Sequence, residues 1–362
     1  MGVSVIVDYG NSVVVTRGLI RRKRGIATIT QDKNYITPLT ARVFSATGIN
    51  PIWIGAVMAI ALLSVFLITR SVFTDGLQSS PGDFRMTLIH IAMFGYAPTA
   101  YVYLIASSAK TARAIAPFAG ASTQEITHLA GKYRWWTVML SGTLGLFINA
   151  YATEMTTVGS GPWVWQNISF DTKWMRVVGP FFSYWVGCAL FVLVMESSRL
   201  SKISDSIDQL DPLFLEPYQP LVRQGLANAL LVVGMGTILS FFHIEPGFSI
   251  FIVVTISLFS IYAWIGLMLP LRGIRKKIKF AKSEELILCD EMLTDSVRQF
   301  KSGATVERTI GEIIAYRGLI ENVRDWPFNS PTMARFGLYL LIPLGSMFGG
   351  ALVERFLDTF FP

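Results

Sequence analysis

The chain has 362 residues, of which 52% are hydrophobic and only 15% charged, and its mean hydropathy is +0.49. A soluble domain carries about a quarter charged residues, so this composition excludes an ordinary water-soluble globule and points to a chain solvated largely by lipid. The formal net charge is +7, but in such a chain the placement of Lys and Arg says more than their sum.

Residues 1–50 read as a basic cytoplasmic N-terminal segment. Two β-branched runs, VSVIV and SVVVT, flank the turn residues Asp8, Tyr9, Gly10 and Asn11, which predicts a small β-hairpin. The stretch RGLIRRKRG follows and places five cations ahead of the first apolar run. Topology and contact with anionic lipid explain these cations better than nucleic-acid binding does. The basic start precedes no apolar core, so no signal peptide is expected.

A membrane-spanning helix needs about 20 mostly apolar residues. Seven stretches approach this, at Pro51–Val72, Phe84–Ser107, Trp135–Met155, Val177–Met195, Leu226–Phe242, Phe248–Leu269 and Phe336–Val353. The expected fold is an all-α integral membrane protein, a seven-span helical bundle. Its parts are the N-terminal segment, spans one to six over residues 51–270, a polar insert over 271–335, and the last span with a short outer tail over 336–362. Of the 31 Lys and Arg, 26 fall in the N-terminal segment, the second and fourth loops and the insert, and 5 on the opposite side. The positive-inside rule then makes the N-terminus and the insert cytoplasmic. Trp163, Trp165 and Trp174 on one side, and Trp135 and Trp136 on the other, fit aromatic belts at the two headgroup layers.

The fourth loop carries Asp205, Asp208 and Asp211. Their spacing places them on one helical face if the helix persists that far. In the insert, Ile274, Ile278, Ala281, Leu288 and Met292 keep helical spacing, and after a break at Ser302-Gly303 so do Val306, Ile310, Ile313, Ile314, Ile320 and Val323. This predicts a helical hairpin of two amphipathic helices before the last span, the first about 40 Å long at 1.5 Å per residue. Pro327 and Pro331 then break the helix.

Polar groups at membrane depth are costly and mark function by default. The candidates are Asn149 near the middle of the third span, Glu154 near its outer end and His90 near the outer end of the second. Asn149 is either an interhelical hydrogen-bonding residue or part of a polar lining. Glu154 and His90 lie at similar depth and form a candidate pair. Glu196 ends the fourth span on the cytoplasmic side, and Arg70 is placed to snorkel outward from the first. In the last span, Pro343 precedes the close-packing pattern of Gly345 and Gly349, repeated one residue on by Ser346 and Gly350. These residues are candidates for helix packing, a kink or a pore-lining face.

No nucleophile–base pair, phosphate loop or metal-ligand spacing occurs. The reading therefore assigns no enzyme activity, metal or cofactor. Cys188 and Cys289 lie in an apolar run and a charged one, which makes a disulfide between them improbable. The expected partners are the lipid bilayer, further copies of the same chain and a cytoplasmic protein, but no nucleic acid. The expected location is the plasma membrane, or the inner membrane if the source is bacterial. An oligomeric channel or passive permeation protein, gated through the hairpin, is the leading reading, and a membrane sensor or scaffold is the alternative.

Overall fold

Helix is nearly the only secondary structure among the described residues, as expected where long apolar runs in lipid must satisfy every backbone N–H and C=O internally. The coordinates are a computed structural model that describes residues 35–73, 81–120, 124–156, 169–207, 210–241, 250–302, 310–327, 334, 336–338 and 341. These belong to the compact unit Lys33–Pro362. The expected β-hairpin around Asp8–Asn11 lies outside the described residues.

Among the described residues ten α-helices follow one another. They are α1 (Leu39–Ala46), α2 (Pro51–Val72), α3 (Pro81–Ile115), α4 (Gln124–Leu129), α5 (Trp135–Thr156), α6 (Phe170–Asp205), α7 (Gln219–Ser240), α8 (Ile250–Met268), α9 (Arg272–Lys301) and α10 (Ile310–Asn322). Two short strands, β1 (Tyr35–Ile36) and β2 (Tyr133–Arg134), pair antiparallel. The helix starts are encoded locally. Asn50 accepts a hydrogen bond from the Ile52 amide with Pro51 in the first turn, and Ser169 accepts from the Thr172 amide with Asp171 beside it. Both are standard N-terminal caps.

Among the described residues four helices are long and apolar enough to cross a membrane, and a fifth span results if α8 and α9, bent by 46°, count as one. The remaining expected spans include α5, whose apolar part Trp135–Ile148 is shorter, and Phe336–Val353, which lies outside the described residues beyond Leu341. Both central helices run past their expected ends. α3 has 35 residues and α6 has 36, or about 53 Å each, against a hydrocarbon core of about 30 Å.

α3 and α6 pack along one another. α2 and α7 flank α3, α5 and the start of α9 flank α6, and α8 pairs with α7. Met93, Ala97, Ala100 and Leu104 of α3 and Phe182, Ala189, Leu193 and Leu200 of α6 form the buried ladder. Two crossings depend on missing side chains. A Cβ on Gly187 of α6 would lie 2.4 Å from the Ser141 carbonyl oxygen of α5, and one on Gly145 of α5 would lie 2.2 Å from the Ser183 oxygen. Gly55 of α2 and Gly95 of α3 meet in the same way. Between helices in lipid such close approach supplies contact that apolarity alone does not.

The expected hairpin is present. α9 and α10 run antiparallel, with the Tyr316 hydroxyl on Glu285 at 3.1 Å and Arg317 on Asp290 at 2.9 Å. Ile274, Ile278, Ile313 and Ile320 of the expected stripe are buried, but Leu288 and Ile314 are exposed and Cys289 is buried instead. Asp205 and Asp211 do not share a helical face, and Asp208 lies outside the described residues. α6 stops at Asp205, and Asp211 caps a turn by accepting from the Leu213 amide at 2.8 Å.

The crossing of α5 and α6 yields a prediction. Gly187→Leu should destabilise the protein by about 3 kcal/mol, the upper part of the overpacking range. Leu144→Ala, on the exposed flank of α5, should change stability by about 0.5 kcal/mol or less. Thermal melts of both variants in the same detergent check this.

Candidate functional site

Two buried polar clusters lie at the end of the bundle where α3, α6 and α8 finish and α5 and α7 begin. The first joins α6 to the turn between α4 and α5. Glu196 is buried, and its Oε1 accepts from the Tyr133 hydroxyl at 2.5 Å, from Arg199 at 2.5 Å and from the Gly131 amide at 3.2 Å. Arg199 also donates to the carbonyls of Leu129 and Lys132, both at 2.9 Å, and its guanidinium lies 5.0 Å from the Tyr133 ring centre. Gly131 is at φ +76°, a left-handed conformation that favours glycine and turns its amide toward the carboxylate. Burial, followed by the Glu196 carboxylate, pushes the Tyr133 phenol well above its ordinary value. The second carboxylate oxygen, Oε2, is buried without a hydrogen bond.

The second cluster begins one residue further along α6. Asn228 of α7 donates to Ser197 at 3.2 Å and to the Gly266 carbonyl of α8 at 3.4 Å. Gln224, one turn earlier on α7, donates to Asn228 at 2.7 Å and to Ser107 of α3 at 3.0 Å, and accepts from Thr111 at 3.2 Å. Four helices thus meet in one hydrogen-bonded knot. Each member is satisfied by another, which suits a specifying contact in a low-dielectric interior.

A third polar contact lies at the opposite end. Arg70 does not simply reach outward. Its Nε is 3.2 Å from Oδ1 of the buried Asp171, and its guanidinium sits 4.6 Å from the Phe84 ring centre. Phe84 in turn packs on Phe66, which also contacts Phe170 and Trp174.

Of the residues expected from sequence, His90 is placed on α3. Its Nδ1 donates to the Met86 carbonyl at 2.7 Å, and its ring packs edge-on against Phe182. Asn149 and Glu154 fall within α5, but their side chains lie outside the described residues, so the candidate pairing of Glu154 with His90 does too. Pro343, Gly345, Gly349 and Gly350 also lie outside them. Both cysteines are free and buried. Among the described residues no three His, Cys, Asp or Glu side chains gather as a metal site.

Sequence reasoning missed Tyr133, Arg199, Gln224 and Asn228. A signal for the last two existed, since they share a helical face with the apolar residues Leu221 and Val232. The span was started at Leu226, which left Gln224 outside it. Comparison with protein-family models, curated proteins and solved structures finds no match.

The first cluster yields two predictions. Arg199→Met leaves Glu196 buried without its cation and should destabilise by about 3–5 kcal/mol. Glu196→Gln combined with Arg199→Met should recover part of that loss in denaturant titrations. The raised Tyr133 value fixes a pH dependence. The neutral phenol is favoured in the folded state, so its contribution is intact below the unfolded value of about 10 and fades as pH climbs toward the folded one. Alkaline melts should therefore fall above about pH 10, and less steeply in Tyr133→Phe.

Proposed function

We propose that the chain is an integral membrane protein of seven helical spans, with its N-terminus and helical hairpin on the cytoplasmic side. On this reading it acts as an oligomeric channel or passive permeation protein, gated through the hairpin, in the plasma membrane or a bacterial inner membrane. The observation that carries the reading is a staple between the hairpin, the α8–α9 corner and the start of the last apolar run. Lys282 donates to the carbonyls of Glu321 and Val323 at 2.7 and 2.8 Å. Lys279 lies 3.5 Å from Asp325, and the Arg275 guanidinium lies 4.2 Å from the Trp326 ring centre. Ten residues on, Phe336 packs against Trp264 of α8 at 6.0 Å. Displacement of the hairpin therefore acts on the residues that lead into the last span.

An oligomer agrees with the exposed apolar flanks of α2, α5 and α8. Trp53, Val57 and Ile60, then Leu140, Leu144 and Phe147, then Leu258, Ile261 and Trp264 all face outward. Lipid or a second copy can cover them. A pore in such an assembly runs between copies, and Gly345, Gly349 and Gly350 are the sequence candidates to line it. The sensor or scaffold reading keeps one observation of its own, the outward-facing Ile287, Ile314 and Leu319 on the hairpin, which suit a cytoplasmic protein partner.

Labelling and flux separate these readings. Cysteines introduced at Ser302 and Ser160 should react from opposite faces of sealed vesicles, with Ser302 on the cytoplasmic face. Trp326→Ala should change liposome flux about tenfold, within the range of coupling energies, while the protein remains inserted. A monomer that conducts nothing yet retains a cytoplasmic partner would favour the sensor.

A further inference from the structure

The corner between α8 and α9 carries a feature that the gating reading does not use. α8 presents Val254, Leu258, Ile261 and Trp264 outward, a stripe at helical spacing. Past Pro270, which lacks an N–H and marks the 46° bend, the exposed line continues through Arg272, Lys276, Lys279 and Phe280. The opposite face of α9, with Ile274 and Ile278, is buried. The lipid-facing stripe thus turns from apolar to cationic at the point where the helix pair leaves its apolar stretch. From Arg272 to Lys279 this face carries no acidic residue. Arg272 and Lys276 make no ion pair among the described residues. Lys279 has only Asp325, and both of those side chains are about half exposed. The first turn of α9 contains no acid, and its N-cap, Leu271, has no capping side chain. The positive end of the helix dipole therefore adds to these cations instead of cancelling them. Phe280, 60% exposed, adds a ring to the same face.

The geometry fits a membrane surface. At 46° to α8, the first eight residues of α9 climb about 8 Å along the α8 axis. That is close to the depth of the headgroup layer. Long Lys and Arg side chains reach back to that layer while their stems cover apolar surface.

We propose that Arg272, Lys276 and Lys279, together with Phe280, bind the headgroups of anionic phospholipids in the leaflet from which α8 emerges. This surface holds the base of the hairpin against the membrane. The inference rests on the reading that α8 crosses the bilayer. Through Lys279, which also faces Asp325, lipid charge then competes with the staple at the elbow. The anionic lipid content of the leaflet thereby regulates the hairpin.

The test uses the full chain in neutral detergent micelles, titrated with phosphatidylglycerol or phosphatidylcholine and followed by native mass measurement. Phosphatidylglycerol should bind preferentially. Each cation removed should weaken it about fivefold, so Arg272→Gln/Lys276→Gln/Lys279→Gln should lose on the order of a hundredfold. Lys301→Gln, at the opposite end of α9 about 43 Å along the helix, should leave the affinity unchanged. If the triple variant does not fold, Lys276→Gln alone decides, with the fivefold loss expected. Equal binding of the two lipids, or a preference that survives these substitutions, overturns the proposal. Alkaline carbonate washing of membranes checks the reading beneath it. A chain released by the wash does not span, whereas a chain that stays integral without lipid preference refutes the headgroup surface alone.

Discussion

The placement of α6 is the constraint on which the rest of the bundle depends. It touches α3, α5, α8 and α9, and much of its surface is therefore fixed by protein. In lipid, apolar side chains gain little by leaving one hydrocarbon environment for another, so orientation must come from close packing and polar contacts. α6 uses both. Gly187 admits the α5 backbone near its middle, and Asp171, Glu196 and Ser197 make directed contacts toward its two ends. The apolar ladder with α3 fills the space between, but many rotations of α6 would satisfy it equally well.

The hydrophobic spans were legible in the sequence because a continuous apolar run is a strong signal and the hydrocarbon thickness sets its length. Their ends were not. α3 and α6 continue for several turns past the apolar window, where Ser108, Thr111, Ser197 and Arg199 read as loop material. In the structure these are helical residues that face other helices. The hydropathy criterion discards polar residues, and the polar contacts of this protein begin where the apolar run stops. The hairpin was legible from its periodicity. The exposure of Leu288 and the burial of Cys289 were not, because a shift of one residue turns the helix by about 100° and only the partner α10 selects the phase.

Arg70 and Asp171 show a second limit. Each is an ordinary end-of-span residue in the sequence, separated from the other by 101 positions. The pairing arises because α2 and α6 bring their ends together, with Phe84 against the guanidinium. An ion pair whose carboxylate is fully buried is screened less than an exposed one. Losing either partner there would strand a charge in an apolar setting. Such a contact selects one arrangement of helix ends even where its net contribution to stability is small.

The two polar clusters at the other end share α6 through consecutive residues. Glu196 holds the α4–α5 turn, and Ser197, about 100° around the helix, holds α7. One and two turns later, a Cβ on Gly273 of α9 would lie 2.2 Å from the Ser201 carbonyl oxygen and 2.3 Å from the Ser204 hydroxyl. α6 is therefore held on three sides within ten residues, and rotation about its axis would break contacts on all of them. Movement of the hairpin relative to the bundle cannot be absorbed by α6. Any displacement of the hairpin would instead bear on the Pro270 break between α8 and α9, next to which the staple of Arg275, Lys279 and Lys282 lies.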